Sequence, residues 1–463
     1  MQAQTLTITR WGAALLIACG VVLRLGFLGA DSFWLDEAYS VSAVLQHESA
    51  RAVWEGSVDP NHPPLYFVIL WFTLHVAGVS EATARLPSAL ASVCNLLLVF
   101  VLAKRLGLTQ RAAVSAVVLL ALAPVDIWYA QETRMYALVT TTALLFAIAL
   151  TMTSWTGAVV AAAVLTVGFY MNYTMVALWA LLISLWFVRW LHTDRRPLYL
   201  IVVIALQGVA WVAFHPQWAH LGEVLRRIDT VPILVNVREW LGVRVSSGLS
   251  ALLVMTLIAA SAASAVAAVW RWLRHPRFRT WWTWLAWAGF VVSTAALSVP
   301  FAYSAKQFLA TGWPLVVLIV AWTLTDGKPD ERRAASLGRL RLPLAVGVSL
   351  VAAIVTVSTP RADWRGVVAH LNDRASRTQA VWIDPSWNSI VYDYYRPELP
   401  AVTNPLALAE AGRRQDDAGD VCLVAHRFSR PPPTSPTEAW LDSHLRLVER
   451  VSFARLEVRC YAD

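Results

Sequence analysis

Charged residues are scarce in this chain, and their scarcity excludes an ordinary soluble fold. Only 15% of its 463 residues are Asp, Glu, Lys or Arg, whereas 57% are hydrophobic. Soluble domains carry about 25% charged residues. Several apolar stretches also reach the roughly 20 residues that a helix needs to cross a bilayer. We therefore expect most of the chain to lie in lipid.

Several sequence signatures of binding sites are missing as well. The chain has no P-loop, no Gly-rich dinucleotide fingerprint, no internal repeat and no His/Cys spacing typical of a metal site. Its net charge of +8 does not indicate nucleic-acid binding, because most of the excess basic residues fall in short loops between apolar segments. Such loops are typically cytoplasmic. The four basic clusters are 104–111, 189–196, 271–279 and 327–341.

The positions of these clusters indicate how many apolar segments cross the membrane. The apolar segments are 11–30, 64–78, 87–103, 112–128, 135–153, 157–170, 175–191, 197–214, 247–270, 281–300, 307–325 and 342–358. If every segment crossed, with the N-terminus inside, all four clusters would face outward. If 64–78 stays on the surface, all four face the cytoplasm; this segment is short and aromatic, as interfacial helices are. We predict eleven spans, the first a retained helix, and an outer loop at 31–86 that contains a surface helix.

The last part of the chain, 359–463, is more polar, and we expect a small α/β domain on the outer face. Its strand-like runs are "QAVWIDPSW", "DVCLVAHRF" and "FARLEVRC". Cys422 and Cys460 each lie in one of these runs. If this part is exported a disulfide is plausible, but the pairing stays open because it is not readable from sequence. Cys19 and Cys94 lie in predicted spans, and we expect both to be small core residues.

Ionisable residues at membrane depth are costly and are therefore candidates for function. The count of crossings places one group on the outer side, namely Asp36, Glu37, Asp59, His62, Glu132, Arg134 and Lys306. Structural alternatives exist: the first two could be a solvated loop pair or the charged start of a helix, and the turn at 131–136 could be closed by its own charges. Arg24, near the end of the first span, is expected to snorkel to the interface.

Carboxylates beside basic groups suit the cleavage of a glycosyl–phosphate bond. A carboxylate can take the proton of an acceptor hydroxyl, while Arg and Lys hold the departing phosphate. Both parts are needed because negative charge builds on that phosphate in the transition state.

The order of several motifs gives the chain a family resemblance. The motifs are "SFWLDEAYS", "DPNHPPLYFVILWF", "EATARLPSAL", "APVDIWYAQETRMYAL", "YSAKQFLATGWPLVVL" and "TPRADWRGVVAHLND". In this order they resemble the membrane glycosyltransferases of the GT-C fold, in particular the bacterial branch related to protein O-mannosyltransferases and lipid A aminoarabinose transferases. With the count of spans, the resemblance implies an α-helical polytopic membrane module of GT-C type over 1–358, followed by the α/β domain over 359–463.

The resemblance also implies roles for individual residues. Asp36 matches the acidic base of the first outer loop, with Glu37 beside it as a second catalytic candidate. Arg134 and Lys306 match groups that bind the donor phosphate. The candidates for binding sugar or acceptor are Asp59, His62, Glu132 and Tyr136.

Two positions depart from the pattern of the family. Relatives often carry a His where this chain reads Tyr170-Met171-Asn172-Tyr173, so a His role there is absent or moved. Asp59 is one residue further from His62 than the family spacing leads us to expect, which leaves its assignment open.

The resulting expectation is a transferase that moves a single sugar, with inversion, from a polyprenyl-phosphate donor to a glycan, lipid or protein acceptor. It would act on the outer face of the cytoplasmic membrane among membrane lipids, with no nucleic acid and no cofactor; a divalent metal is not favoured by the resemblance. The alternatives are a lipid-linked oligosaccharide ligase or polymerase and, from another class, a lipid or sugar transporter or flippase. The sugar, the acceptor and the oligomeric state are not readable from the sequence.

Overall fold

The computed structural model describes residues 9–56, 58–59, 62–152, 154–172, 175, 303–325, 335–399, 401–402, 419–426 and 435–462. Apart from Met175, the four predicted spans from 175–191 to 281–300 lie outside the described residues. The chain divides into two compact units. The first unit comprises Met1–Gly26, His47–Phe72 and Leu86–Val357, and the second comprises Phe27–Gln46, Thr73–Arg85 and Ser358–Asp463.

Helices make up most of the described residues before 359. They are α1 (Arg10–Leu25), α2 (Leu35–Leu45), α3 (Ala50–Glu55), α4 (Leu65–Ala77), α5 (Glu81–Arg105), α6 (Gln110–Ala121), α7 (Pro124–Ala130), α8 (Tyr136–Leu150), α9 (Trp155–Met171), α10 (Tyr303–Thr325) and α11 (Ala335–Ser358). Among the described residues, Glu81–Arg105 and Arg341–Ser358 are long and apolar enough to cross a membrane. The helical, membrane-spanning character is thus confirmed, and the number of eleven spans stays a prediction.

The predicted span at 112–128 is interrupted in the structure. It consists of α6 and α7, whose axes are bent by 56° at a short break. Pro124 is the first residue of α7. Because proline has no N–H and its ring clashes with the preceding turn, it is favoured at the start of a helix and disfavoured inside one. This segment is therefore two helices, which together are long and apolar enough for one bent span.

Arg24 of α1 lies against this break, and the prediction that it snorkels to the interface is wrong. Its side chain is 0% exposed. The guanidinium donates to the carbonyls of Leu120 and Ala121, the last turn of α6, to the carbonyl of Gly20 and to Ser92 Oγ at 2.8 Å. The last carbonyls of a helix lack partners within that helix. This arginine supplies a donor to the carbonyl of Ala121 and a further donor to that of Leu120, which also accepts from the backbone N–H of Ala123.

The approach of α1 to α6 depends on a glycine. A Cβ atom on Gly20 would lie 2.5 Å from the carbonyl oxygen of Ala121, so any larger residue would push the helices apart.

The two free cysteines differ in burial. Cys19 on α1 is half-buried, while Cys94 on α5 is exposed. The prediction that both cysteines are core residues is therefore wrong for Cys94, because its side chain lies on the outer face of a long apolar helix.

The second unit contains a five-stranded mixed sheet. Its strands are β1 (Thr378–Asp384), β2 (Ala401–Val402), β3 (Asp420–His426), β4 (Arg446–Phe453) and β5 (Leu456–Ala462), in the order β2-β1-β3-β5-β4. The β1 strand pairs in parallel with β2 and β3, whereas β5 is antiparallel to β3 and β4. Helices α12 (Trp364–Asp373), α13 (Ser389–Tyr394) and α14 (Pro436–His444) accompany the sheet. The three strand-like runs predicted from the sequence thus coincide with β1, β3 and β5.

A disulfide joins two neighbouring strands of this sheet. Cys422 of β3 and Cys460 of β5 are directly paired in the antiparallel register, and their sulfurs are bonded. Side chains on one face of the sheet, including Trp382 and Leu423, pack together with Leu441 of α14. The pairing left open by the sequence is therefore present.

Candidate functional site

Asp36 and Glu37 form the first turn of α2. The helix follows Trp34, whose backbone N–H donates to Glu37 Oε2 at 3.3 Å. Carboxylates are favourable in this position because the free N–H groups at a helix N-terminus carry partial positive charge. Of the two structural alternatives, the charged start of a helix is the one that the structure contains.

The two adjacent carboxylates have different surroundings. Glu37 is 0% exposed, and Arg85 binds both of its oxygens, from Nε at 2.9 Å and from Nη2 at 2.7 Å. Arg361 Nη1 lies 3.6 Å from the same carboxylate. A buried carboxylate is stable only when it is paired and hydrogen-bonded, and this geometry favours a positioning role for Glu37. The side chain of Asp36 is half-buried and retains access to solvent.

Arg85, which lies in the motif "EATARLPSAL" but was not among the predicted site residues, holds the segment before α2. Beyond Glu37, its guanidinium donates to the carbonyls of Leu28, Asp31 and Ser32. The guanidinium carbon also lies 5.4 Å from the ring centroid of Phe33, a cation–π contact. One arginine thus fixes the whole approach to α2. The sequence contains one indication of this role. Arg85 lies near the start of a long apolar helix, where an arginine is costly unless it binds an acceptor.

In the first unit, the structure brings Asp59 and His62 together. His62 Nδ1 lies 2.7 Å from Asp59 Oδ2, and both side chains are largely buried. The backbone N–H of His62 also donates to the carbonyl of Asp59 at 3.2 Å. The separation of three positions between Asp59 and His62 therefore allows both contacts, and the carboxylate of Asp59 orients the imidazole of His62.

The turn between α7 and α8 buries both of its charged residues. Glu132 and Arg134 are almost fully inaccessible. Trp128 Nε1 donates to Glu132 Oε1 at 2.7 Å, and Ser88 Oγ donates to the backbone carbonyl of Arg134 at 2.7 Å. Burying charged groups is costly unless they are hydrogen-bonded or paired. The turn predicted at this position is present, and the functional roles of Glu132 and Arg134 stay predictions.

Two neighbours shape the same turn. Gln131 Nε2 donates to the carbonyls of Leu23 and Gly26 at the end of α1. Tyr136 opens α8 and packs its ring 4.7 Å from that of Tyr129. The side chains of the turn are therefore held from α1 and from α7.

The remaining predicted residues are less informative. Lys306 lies in the first turn of α10, and its side chain is outside the described residues. Asn172, in the motif that departs from the family pattern, is buried and ends α9. No group of three or more His, Cys, Asp or Glu side chains within the described part of the chain is placed to hold a metal ion.

Comparisons with known proteins agree with this architecture. Residues 61–215 match the family of dolichyl-phosphate-mannose-protein mannosyltransferases. No curated protein matches the chain by sequence. The crystal structure of ArnT from Cupriavidus metallidurans bound to undecaprenyl phosphate is similar over 98% of both chains, with a TM-score of 0.52 and 15% identity. An oligosaccharyltransferase from Archaeoglobus fulgidus in the apo form covers 90% of this chain and 70% of its own, with a TM-score of 0.49 and 10% identity.

The extent of the likeness differs between these comparisons. The family match covers residues 61–215, a minority of the chain. It includes His62, Glu132 and Arg134 but neither Asp36 nor Asp59. The likeness to ArnT extends over nearly the whole chain and concerns the fold. The fold expected from the motifs is confirmed: the chain has the fold of ArnT, which is of GT-C type, and its residues 61–215 match the mannosyltransferase family.

Proposed function

We propose that this chain is a membrane glycosyltransferase that moves one sugar from a polyprenyl-phosphate donor to an acceptor on the outer face of the cytoplasmic membrane. The family of residues 61–215 is named for mannosyl transfer from a polyprenyl phosphate, and the ArnT structure contains undecaprenyl phosphate. Both relatives thus handle lipid-linked phosphate, which the buried basic residue Arg134 suits by its charge.

The observation that carries the proposal is the contrast between Asp36 and Glu37. Glu37 is buried and neutralised by Arg85, so its charge does not suppress ionisation of its neighbour. Asp36 is half-buried rather than enclosed, on a helix turn that is fixed by these bonds. A general base must be ionised and held within hydrogen-bond reach of the proton that it removes.

The reaction then takes place as a single displacement. Asp36 takes the proton of the acceptor hydroxyl or amine while the acceptor atom attacks the anomeric carbon. The bond from that carbon to the phosphate oxygen breaks, and the polyprenyl phosphate leaves with the bonding electron pair. Attack from the face opposite the leaving group inverts the configuration of the anomeric carbon.

The other predicted residues have supporting roles in this proposal. Arg134 and Lys306 stabilise the charge of the leaving phosphate, since a guanidinium in a water-poor site interacts strongly with an oxyanion. His62, oriented by Asp59, binds the sugar or the acceptor together with Glu132 and Tyr136. No step of this scheme requires a metal ion.

The test is an assay of the purified full-length chain in lipid nanodiscs. Radiolabelled polyprenyl-phosphate sugars, including mannose, arabinose and aminoarabinose, are offered separately with membrane lipid, cell-wall glycan and protein fractions, with and without a chelator. We expect transfer from one donor class, unchanged by chelation, with inversion of the anomeric centre. Absence of transfer from every donor would refute the proposal, whereas transfer of a whole oligosaccharide would favour the ligase alternative.

A further inference from the structure

The C-terminal part of the chain binds directly to the segment that precedes α2, and both belong to the second unit. The backbone N–H of Arg365 donates to Ser32 Oγ at 3.1 Å, and its guanidinium donates to the carbonyl of Ala30. The backbone N–H of Phe33 donates to the hydroxyl of Tyr395 at 2.7 Å. Three polar groups in a stretch of four residues thus have partners that lie more than 300 positions later in the chain.

Tyr395 connects two parts of the predicted outer loop. Its hydroxyl accepts from Phe33 and donates to Glu81 Oε1 at 2.9 Å. Burial raises the pKa of Tyr395 above its ordinary value, and the carboxylate of Glu81 contributes in the same direction. The phenol therefore keeps its proton at neutral pH and serves as donor and acceptor together. The ring of the preceding residue, Tyr394, packs edge-on against Phe33 with 5.1 Å between ring centroids.

Arg361 adds a charged contact from the same part of the chain. Its guanidinium lies 3.6 Å from Glu37 Oε2 and 3.8 Å from Asp31 Oδ2, and its side chain is nearly inaccessible. Glu37 therefore lies between Arg85, from the start of α5, and Arg361, from the start of the tail. The bonds at Phe33 and at Glu37 bracket Trp34 and Asp36, so the first turn of α2 is held on both sides.

We propose that the C-terminal domain is a positioning clamp for the first turn of α2, and that Tyr395 is a positioning residue that acts through Phe33 on the orientation of Asp36. This inference rests on the proposed transferase function for its catalytic consequence. It assigns to the domain a task in catalysis that does not require the domain to touch substrate.

The experiment compares Tyr395→Phe with Tyr392→Phe in the full-length chain. Tyr392 is the matched control, because it lies on the adjoining helix α13 and its hydroxyl donates to the carbonyl of Leu399, within the tail itself. Hydrogen exchange of residues 27–46 is measured by mass spectrometry, and transfer kinetics are measured in parallel. For Tyr395→Phe we expect exchange to rise five- to tenfold across 33–38, as the loss of about one hydrogen bond implies. We expect kcat to fall by a similar factor with the KM for donor unchanged; the control should change neither.

A second variant keeps the test independent of folding. Arg365 is partly exposed, and Arg365→Gln removes its contacts with Ala30 and Glu81 without burying a new group. It should raise exchange in the same residues. In the background of Asp36→Asn, Tyr395→Phe should cause no further fall in residual activity, because a positioning residue acts only through the group that it positions.

Each outcome decides between the two proposals. If exchange across 33–38 is unchanged in both variants, or if it rises while kcat stays at the wild-type value, the clamp is refuted even though the transferase activity stands. If the wild-type chain transfers no sugar at all, the proposed function falls, and a rise in exchange confined to Tyr395→Phe and Arg365→Gln still supports the clamp.

Discussion

The carboxylate of Glu37 accepts two hydrogen bonds from the guanidinium of Arg85, 48 positions later in the chain. Both side chains are almost completely buried. The pair neutralises a charge that would otherwise lie next to Asp36 and joins the start of α2 to the start of α5. Two adjacent acidic residues thus have separate tasks, one as a structural anchor and one as the proposed base.

The first prediction concerns the anchor. Glu37→Gln leaves the buried guanidinium of Arg85 without its counter-charge, and breaking such a pair typically costs about 3–5 kcal/mol. We expect a matching loss in the free energy of unfolding, measured by chemical denaturation in nanodiscs. Glu55→Gln is the control, because Glu55 is an exposed carboxylate paired with the exposed Arg51. Equal stability of the two variants would contradict the anchor role, and Glu37→Gln/Arg85→Gln should recover part of the loss.

The second prediction concerns the base. Asp36→Asn keeps the size of the side chain and removes its ability to take a proton, so kcat should fall by about 10²–10⁴. The free energy of unfolding should stay close to that of the wild type, because Asn has nearly the same size and polarity as Asp and the residue is only half-buried. The measurement is sugar transfer at saturating donor, again with Glu55→Gln as control. Full activity of Asp36→Asn would rule out this residue as the base.

The third prediction concerns the donor phosphate. Arg134→Ala removes a buried cation from the turn between α7 and α8, and a charge-assisted hydrogen bond contributes about 1.5–3 kcal/mol. The Kd for polyprenyl phosphate, measured by tryptophan fluorescence, should therefore rise roughly 10- to 100-fold. Arg51→Ala is the control, since Arg51 lies on α3 and is highly exposed. A donor affinity that is the same in both variants would speak against the phosphate role.

The fourth prediction concerns the break between α6 and α7. Arg24→Met removes the donor to the last carbonyls of α6, and each buried polar group left without a partner costs about 1–3 kcal/mol. The carbonyl of Leu120 keeps the backbone N–H of Ala123 as a donor, so the loss falls on the carbonyl of Ala121 and on Ser92. We expect a clear fall in the temperature of unfolding for Arg24→Met, a smaller one for Arg24→Lys and none for Arg10→Met at the exposed start of α1. Wild-type stability in Arg24→Met would show that the break holds its shape without the arginine.

The fifth prediction concerns the disulfide. Because Cys422 and Cys460 are bonded and Cys19 and Cys94 are free, denatured protein should bind two equivalents of a thiol reagent before reduction and four after it. The bond spans 38 residues, which the chain-entropy model converts to about 4 kcal/mol. Reduction should therefore lower the protection of β3 and β5 against hydrogen exchange. Four reactive thiols in the unreduced protein would show that the bond does not form.

Local pattern was enough to predict apolar helices on either side of the turn at 131–136 and the strands β1, β3 and β5. These elements depend on runs of apolar residues or on alternation, and both are readable within a short window. The order of the strands was not predictable, because it depends on pairing between residues far apart in the chain. The bend at Pro124 was missed because a long apolar run outweighed the single residue that interrupts it.

The candidate site divides in the same way. Asp36, Glu132 and Arg134 were found because charged residues are rare in apolar surroundings. The burial of Glu37 depends on a donor 48 positions away, Arg85. The burial of Arg24 depends on an acceptor 97 positions away, the carbonyl of Ala121. An arginine near the end of a span ordinarily reaches for the interface, and only the carbonyls of α6 explain why this one does not. The roles of Asp36, Lys306 and the other site residues stay predictions.

The contacts of Ala30 and Phe33 with Arg365 and Tyr395 also set an order of events during synthesis. The carbonyl of Ala30 accepts a hydrogen bond from Arg365, which is synthesised 335 residues later. At about 5–20 residues per second the delay is on the order of tens of seconds, and the donor must also reach the same side of the membrane. The nascent protein therefore passes through a long period in which the first turn of α2 lacks its final partners, and that turn is complete only after Arg365 and Tyr395 have been made and have reached it.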